Sequence, residues 1–143
     1  MGAERRDLEL DREALYARLV RAFVERDFGT IEQAMREDVV LELPGSSPFA
    51  GKHVGYDAVD RYLLGMRQFM RSTGKPIAFD HEDNLMVASY ETMVHGPKHL
   101  IDDMKLRVEI TFGEEERISA VFIQPDDIGL FDHVITTVLR SAS

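Results

Sequence analysis

The side chains best placed for chemistry are a few carboxylates, histidines and a tyrosine set among apolar residues. Glu91 interrupts the run "LMVASYETMVH", where strand alternation puts it on one face with Val87, Ser89, Met93 and His95. If that face is buried, Glu91 and His95 form a polar pair among apolar side chains, and burial raises a carboxyl pKa toward the range useful for proton transfer. If Tyr90, Thr92 and Val94 face inward instead, both are ordinary wet residues. Asp127 in "DDIGLF" stands before a helical pattern, where its carboxylate, or that of Asp126, can cap backbone donors. His53 lies between Gly51 and Gly55 in the stretch "LELPGSSPFAGKHVGYDAV", a connection long enough to be the rim of a pocket. Imidazole titrates near neutrality, which makes His53 a candidate assistant to proton transfer. His95 and His99 have the spacing of a metal pair, but the intervening Gly96-Pro97 forms a turn rather than a helical face, so no metal site is expected.

The elements that must position these residues follow from periodicity. From Asp11, an N-cap, Leu15, Leu19 and Ala22/Phe23 recur at helical spacing, which also carries Tyr16 as a core or rim residue. A short second helix follows the Gly29-Thr30 break with Ile31, Ala34 and Met35, and "VVLEL" reads as a strand. Val59, Tyr62/Leu63, Met66 and Phe69/Met70 make a third helical stripe that stops at Gly74 and Pro76. The period then changes. "PIAFDH", "NLMVASYETMVH", "MKLRVEITF" and "RISAVFIQP" read as antiparallel strands joined by turns, with "GEEE" a solvated hairpin turn. Met104, Leu106, Val108, Ile110 and Phe112 alternate with Lys105, Arg107, Glu109 and Thr111, one buried face and one wet. After Pro125, Ile128, Phe131, Val134/Ile135 and Val138 define the inner side of a terminal helix of mediocre propensity, which tertiary contacts must hold.

At 143 residues the chain suits one domain that buries roughly 70% of the surface its unfolded form exposes. Residues 1–10 are highly charged and expected to fray, leaving a single domain over 11–143. The net charge of -9 disfavours nucleic acid and anionic membranes as partners, and the absence of cysteine removes disulfides and thiolate chemistry. No apolar run reaches signal-peptide or membrane-span length, so a cytoplasmic protein is expected.

Helix, helix, strand, long loop, helix and then sheet is an α+β order. The stretches "ERDFGTIEQAMREDVVLELPG", "SPFAGKHVGYDAV" and "RISAVFIQPDDIGLFD" resemble, in that order, the SnoaL-like branch of the nuclear transport factor 2-like superfamily over nearly the whole chain. The resemblance implies a cone-shaped α+β barrel: three N-terminal helices packed in a strongly curved antiparallel sheet, with a C-terminal helix and an apolar cavity at one end. It does not imply one activity, since this fold hosts isomerases, cyclases, hydrolases and noncatalytic modules.

Set against the steroid-isomerase branch, the tyrosine and aspartate of proton transfer correspond to Leu19 and Leu43, which can neither give nor take a proton. Set against the limonene-epoxide-hydrolase branch, Asp127 falls at the general-acid position and Glu91 where that branch has a carboxylate, whereas Ser89 replaces its orienting arginine. The expected function is a pocket for a small apolar molecule, polyketide-, terpenoid- or steroid-like, with Glu91 and Asp127 as the acid/base pair. Tyr16, Leu19, Leu43, His53, Met66, His95 and Phe122 are the expected ligand-binding set, without cofactor. The rival is a noncatalytic binding or dimerisation module. In either case the resemblance implies a homodimer through the outer sheet face, where Lys105, Arg107, Glu109 and Thr111 stand.

Overall fold

Charge, rather than apolar spacing, decides where the first helix begins. The computed structural model describes residues 2–69, 76–90, 105–133 and 136. In it α1 spans Gly2–Val24, so Asp11 lies inside the helix and the charged residues before it are helical. Those residues are good helix formers, with Glu4 in the first turn and Arg5 and Glu9 3.9 Å apart one turn on. They also have partners on the sheet. Arg5 reaches Asp83 at 3.5 Å, and the Glu13 carboxylate meets His81 Nε2 at 2.6 Å. Arg12, only 3% exposed, donates twice to Glu116 at 2.8 Å and once to the Asp83 carbonyl at 2.8 Å, with its guanidinium 4.5 Å above the Phe112 ring. Glu116 is therefore a tertiary ligand, whereas the sequence reading had "GEEE" as a plain solvated turn.

The far end of α1 closes in a Schellman turn: the Asp27 amide donates to the Ala22 carbonyl and the Arg26 amide to that of Phe23, with Arg26 at φ 60. Arg67 donates to the Val24 carbonyl at 2.9 and 3.1 Å, satisfying one of the acceptors a helix end leaves over. Asp27 then caps α2, Phe28–Gln33, through the Thr30 amide and hydroxyl.

Six strands follow among the described residues: β1 Met35–Leu43, β2 Gly51–Val54, β3 Ala78–Glu82, β4 Leu85–Tyr90, β5 Leu106–Phe112 and β6 Ile118–Pro125, with α3, Tyr56–Phe69, between β2 and β3. Their order across the sheet is β2-β1-β6-β5-β4-β3. Two features differ from the sequence expectation. The sheet is mixed, because β1 and β6 run parallel, although every other pairing is antiparallel. β1 and β6 are not hairpin neighbours, so no tight turn forces them to oppose. The stretch 51–54 also forms an edge strand inside what reads as a loop, since "GKHV" has a single β-branched residue and two of its four residues are Gly and Lys.

The curved sheet turns one face to the helices. Val39, Leu41 and Leu43 of β1, Met86, Ala88 and Tyr90 of β4, and Leu106, Val108, Ile110 and Phe112 of β5 are all buried in one core. The alternation in β5 is as the sequence predicts for Leu106 onward, with Arg107 exposed and Glu109 and Thr111 half-buried on the other side. Helix α4, over 128–133, starts behind Asp127; it buries Phe131, but Ile128 is 44% exposed rather than inward. None of the described helices is long and apolar enough to cross a membrane.

Candidate functional site

Between the helices and the inner face of the sheet lies a cavity of about 170 Å³. Its helical walls come from Tyr16, Leu19, Val20 and Phe23 of α1, Ile31 of α2, and Val59, Tyr62, Leu63 and Met66 of α3. The sheet supplies β-branched residues, among them Val39, Val108, Ile110, Val121 and Ile123. Such side chains are stiff and short, so they pave the strands without reaching the helices, and the space between stays open. Apart from two phenols the lining has no polar side chain among the described residues.

The first phenol belongs to Tyr16. Its hydroxyl is hydrogen-bonded to that of Tyr90 at the end of β4, and Phe79 packs edge-on against the Tyr16 ring at 5.9 Å. Burial raises the pKa of both: Tyr16 well above its ordinary value, Tyr90 up to about 12. Both phenols therefore stay protonated at neutral pH. One proton bridges the pair, and among the described residues the other has no acceptor. The second phenol, Tyr62, is 4% exposed, and burial raises its pKa as well.

The long connection after β1 closes this end of the domain. Gly45, at φ 98, brings the chain against α4, and the Asp132 carboxylate accepts from the Ser46 amide at 2.9 Å, the Ser46 hydroxyl at 3.1 Å and the Ser47 amide at 3.2 Å. Phe49 then lies on Gly65 of α3, where a Cβ would come within 2.6 Å of its ring. His53 Nε2 donates to the Phe49 carbonyl at 2.8 Å, so the loop is tied to the helix, to α4 and to itself.

The residues expected from sequence are distributed unevenly. Tyr16, Leu19 and Met66 line the cavity, as does Tyr62. Leu43 is buried in the core outside the lining, and His53 borders a neighbouring surface cleft rather than the cavity. Phe122 takes the opposite side of β6 from Val121 and Ile123 and borders an outer-face groove with Glu42 and Glu109, because strand alternation admits only one of two neighbours inside. Asp127 is exposed, and its carboxylate accepts from the Leu130 amide at 2.9 Å as the cap of α4. Glu91 and His95, with His99, lie outside the described residues; on β4 itself Met86, Ala88 and Tyr90 join the core cluster, and Val87 and Ser89 take the other face. Among the described residues no group of three histidines or carboxylates could hold a metal ion. Sequence reasoning placed Tyr62 only in the apolar stripe of α3 and left Tyr90 out of the site. The signal for Tyr90 was its alternation with Met86 and Ala88, which competes evenly with the alternative face in a run that is apolar on both.

No family model matches the sequence, and no curated protein matches it either. Among solved structures the fold has close likenesses. Bal32a, from a soil-derived mobile gene cassette, is 20% identical with a TM-score of 0.72, covering 85% of this chain and 94% of its own. An NTF2-like protein of unknown function from Burkholderia pseudomallei K96243 is 21% identical with a TM-score of 0.69, covering 87% and 96%. TerC, co-crystallised with polyporic acid, is 15% identical with a TM-score of 0.65, covering 82% and 92%. The chain thus has the NTF2-like fold.

Proposed function

We propose that the protein binds a small, largely apolar molecule in the cavity beneath α1 and α3. The observation that carries this reading is a space of about 170 Å³ walled by apolar side chains at the centre of the domain, with Tyr16 at its edge. An apolar cavity of roughly 150 Å³ stays dry and takes up a benzene-sized molecule. One proton of the Tyr16–Tyr90 pair has no acceptor among the described residues, and a carbonyl or ether oxygen on an otherwise apolar ligand can accept it. Binding is favoured over turnover because the described lining offers phenols and neither carboxylate nor imidazole, and because the resemblance sets leucines, Leu19 and Leu43, against the isomerase branch's proton-transfer pair. That TerC, of like fold, was co-crystallised with an organic acid is in keeping with a ligand-binding role.

The test is calorimetric titration with toluene. The native protein should bind it, and Ile110→Phe, which fills the cavity from β5, should abolish binding while still unfolding cooperatively. Failure of toluene to bind the native protein, or equal affinity in the filled variant, contradicts the reading.

The same account has two copies pair through the outer sheet face. There the strand register sets Lys52, Glu42, Phe122 and Glu109 in one row and Val54, Val40, Ala120 and Thr111 in the next, with Val54 58% exposed. Apolar patches beside charges of both signs suit a self-complementary contact. Light scattering should give twice the chain mass at micromolar concentration, and a monomer mass would refute the pairing.

A further inference from the structure

Tyr62 borders two spaces. One is the apolar cavity; the other is an open cleft of about 230 Å³ lined by Phe49, His53, Ala58, Arg61 and Tyr62. The Tyr62 ring stands edge-on to Phe49 at 5.8 Å and tilted to His53 at 5.5 Å, so the side chain shared by the two spaces is held by ring contacts. Its phenol makes no hydrogen bond among the described residues, and its oxygen is not one of their fully buried unpaired atoms. A free phenol on a side chain that borders both spaces is a donor open to a ligand. Arg61 is exposed at the cleft, makes only a 3.4 Å contact to the Asp57 carbonyl, and has no carboxylate within ion-pair distance among the described residues. In a chain of net charge -9, that leaves a cation facing a cleft next to an apolar chamber.

We propose that cavity and cleft form one two-part site for a single-ring amphipathic carboxylic acid. The ring occupies the cavity, and its size limits it to about one six-membered ring. A short tether passes Tyr62, whose ring turns aside on its hinge at Cβ and whose hydroxyl gains an acceptor. The carboxylate rests on Arg61, whose planar donors match its two oxygens. The proposal rests on the cavity reading above and adds to it the acid group, its cation and its route of entry.

The test compares three probes by titration: toluene, propylbenzene and 3-phenylpropanoate, the last two sharing ring and tether and differing in the terminal carboxylate. The native protein should bind 3-phenylpropanoate about fivefold more tightly than propylbenzene, a preference typical of a solvent-accessible ion pair. That ratio should shrink in 0.5 M salt, at a Debye length of a few ångströms. In Arg61→Gln it should fall to about one. Equal affinities in the native protein, or a preference that survives Arg61→Gln, overturn the two-part site and leave the cavity reading in place. If toluene and propylbenzene both fail to bind, the cavity reading falls and this one with it.

Discussion

Tyr16 and Tyr90 offer a direct measurement of what one buried hydroxyl pair contributes. The rings are 8% and 2% exposed, and each hydroxyl has the other as its partner. Tyr90→Phe keeps the ring and leaves the Tyr16 hydroxyl buried without that partner, which costs about 1–3 kcal/mol; Tyr16→Phe does the same to Tyr90 and preserves the edge contact with Phe79. The double variant removes both polar groups and leaves two rings of nearly native shape, so it should lie within about 1 kcal/mol of the native protein. Two singles near 2 kcal/mol and a double near 1 imply a coupling of about 3 kcal/mol, at the upper end for residues in contact. Urea denaturation with unchanged m-values is the assay. Free energies that add to within about 0.5 kcal/mol would refute the view that the hydroxyls act as one unit. The pair also predicts an alkaline response. Burial raises the Tyr90 pKa to about 12 in the folded protein, whereas the unfolded phenol titrates near 10. Its contribution is therefore whole below about pH 10 and is lost as pH rises through about 12. The double Phe variant should lose less stability across that window than the native protein does.

Three further substitutions test the frame around the site. Arg12→Met should cost about 2–3 kcal/mol by urea unfolding, less than a fully buried pair because Glu116 is 47% exposed and regains water; a loss under about 1 kcal/mol would contradict its role in docking α1. Gly45→Ala should cost about 2 kcal/mol, since φ is 98 and the added Cβ comes within 2.9 Å of Asp132 Cγ, disturbing the bonds to Ser46 and Ser47; an unchanged urea midpoint would contradict the tight approach of loop and α4. Arg26→Gly should stabilise by up to about 1 kcal/mol, because the αL position closing α1 favours glycine; a destabilised protein would mean that the Arg26 side chain makes a compensating contact.

What the sequence disclosed followed from how strictly each residue's neighbours constrained it. Leu106 to Phe112 alternate without exception, and a pattern of that period has one solution on a sheet with one covered face. Asp127 before a helical run has a local partner three residues on, so its capping role was legible without tertiary information. Tyr16 and Tyr90, 74 residues apart, meet only when α1 crosses β4, and nothing local to either announces the other. The same holds for Arg12 with Glu116, which lies in a turn that reads as ordinary solvated punctuation, and for Gly45 with Asp132 of α4. β2 was hidden because a short edge strand draws its order from β1, through cross-strand pairs such as Leu41 with His53, rather than from its own side chains. The β4 face was undecidable from a run apolar on both sides, and the fold resolves it by joining Met86, Ala88 and Tyr90, but not Val87, to the core cluster.

The central claim is a ligand in the cavity, and methyl-resolved NMR during a toluene titration tests it most directly. The account predicts saturable shifts at the methyls of Val39, Val108, Ile110 and Ile123, which line the space, with none at Val54 and Val87, which do not. Shifts scattered over both faces, or none at the lining methyls, would contradict it.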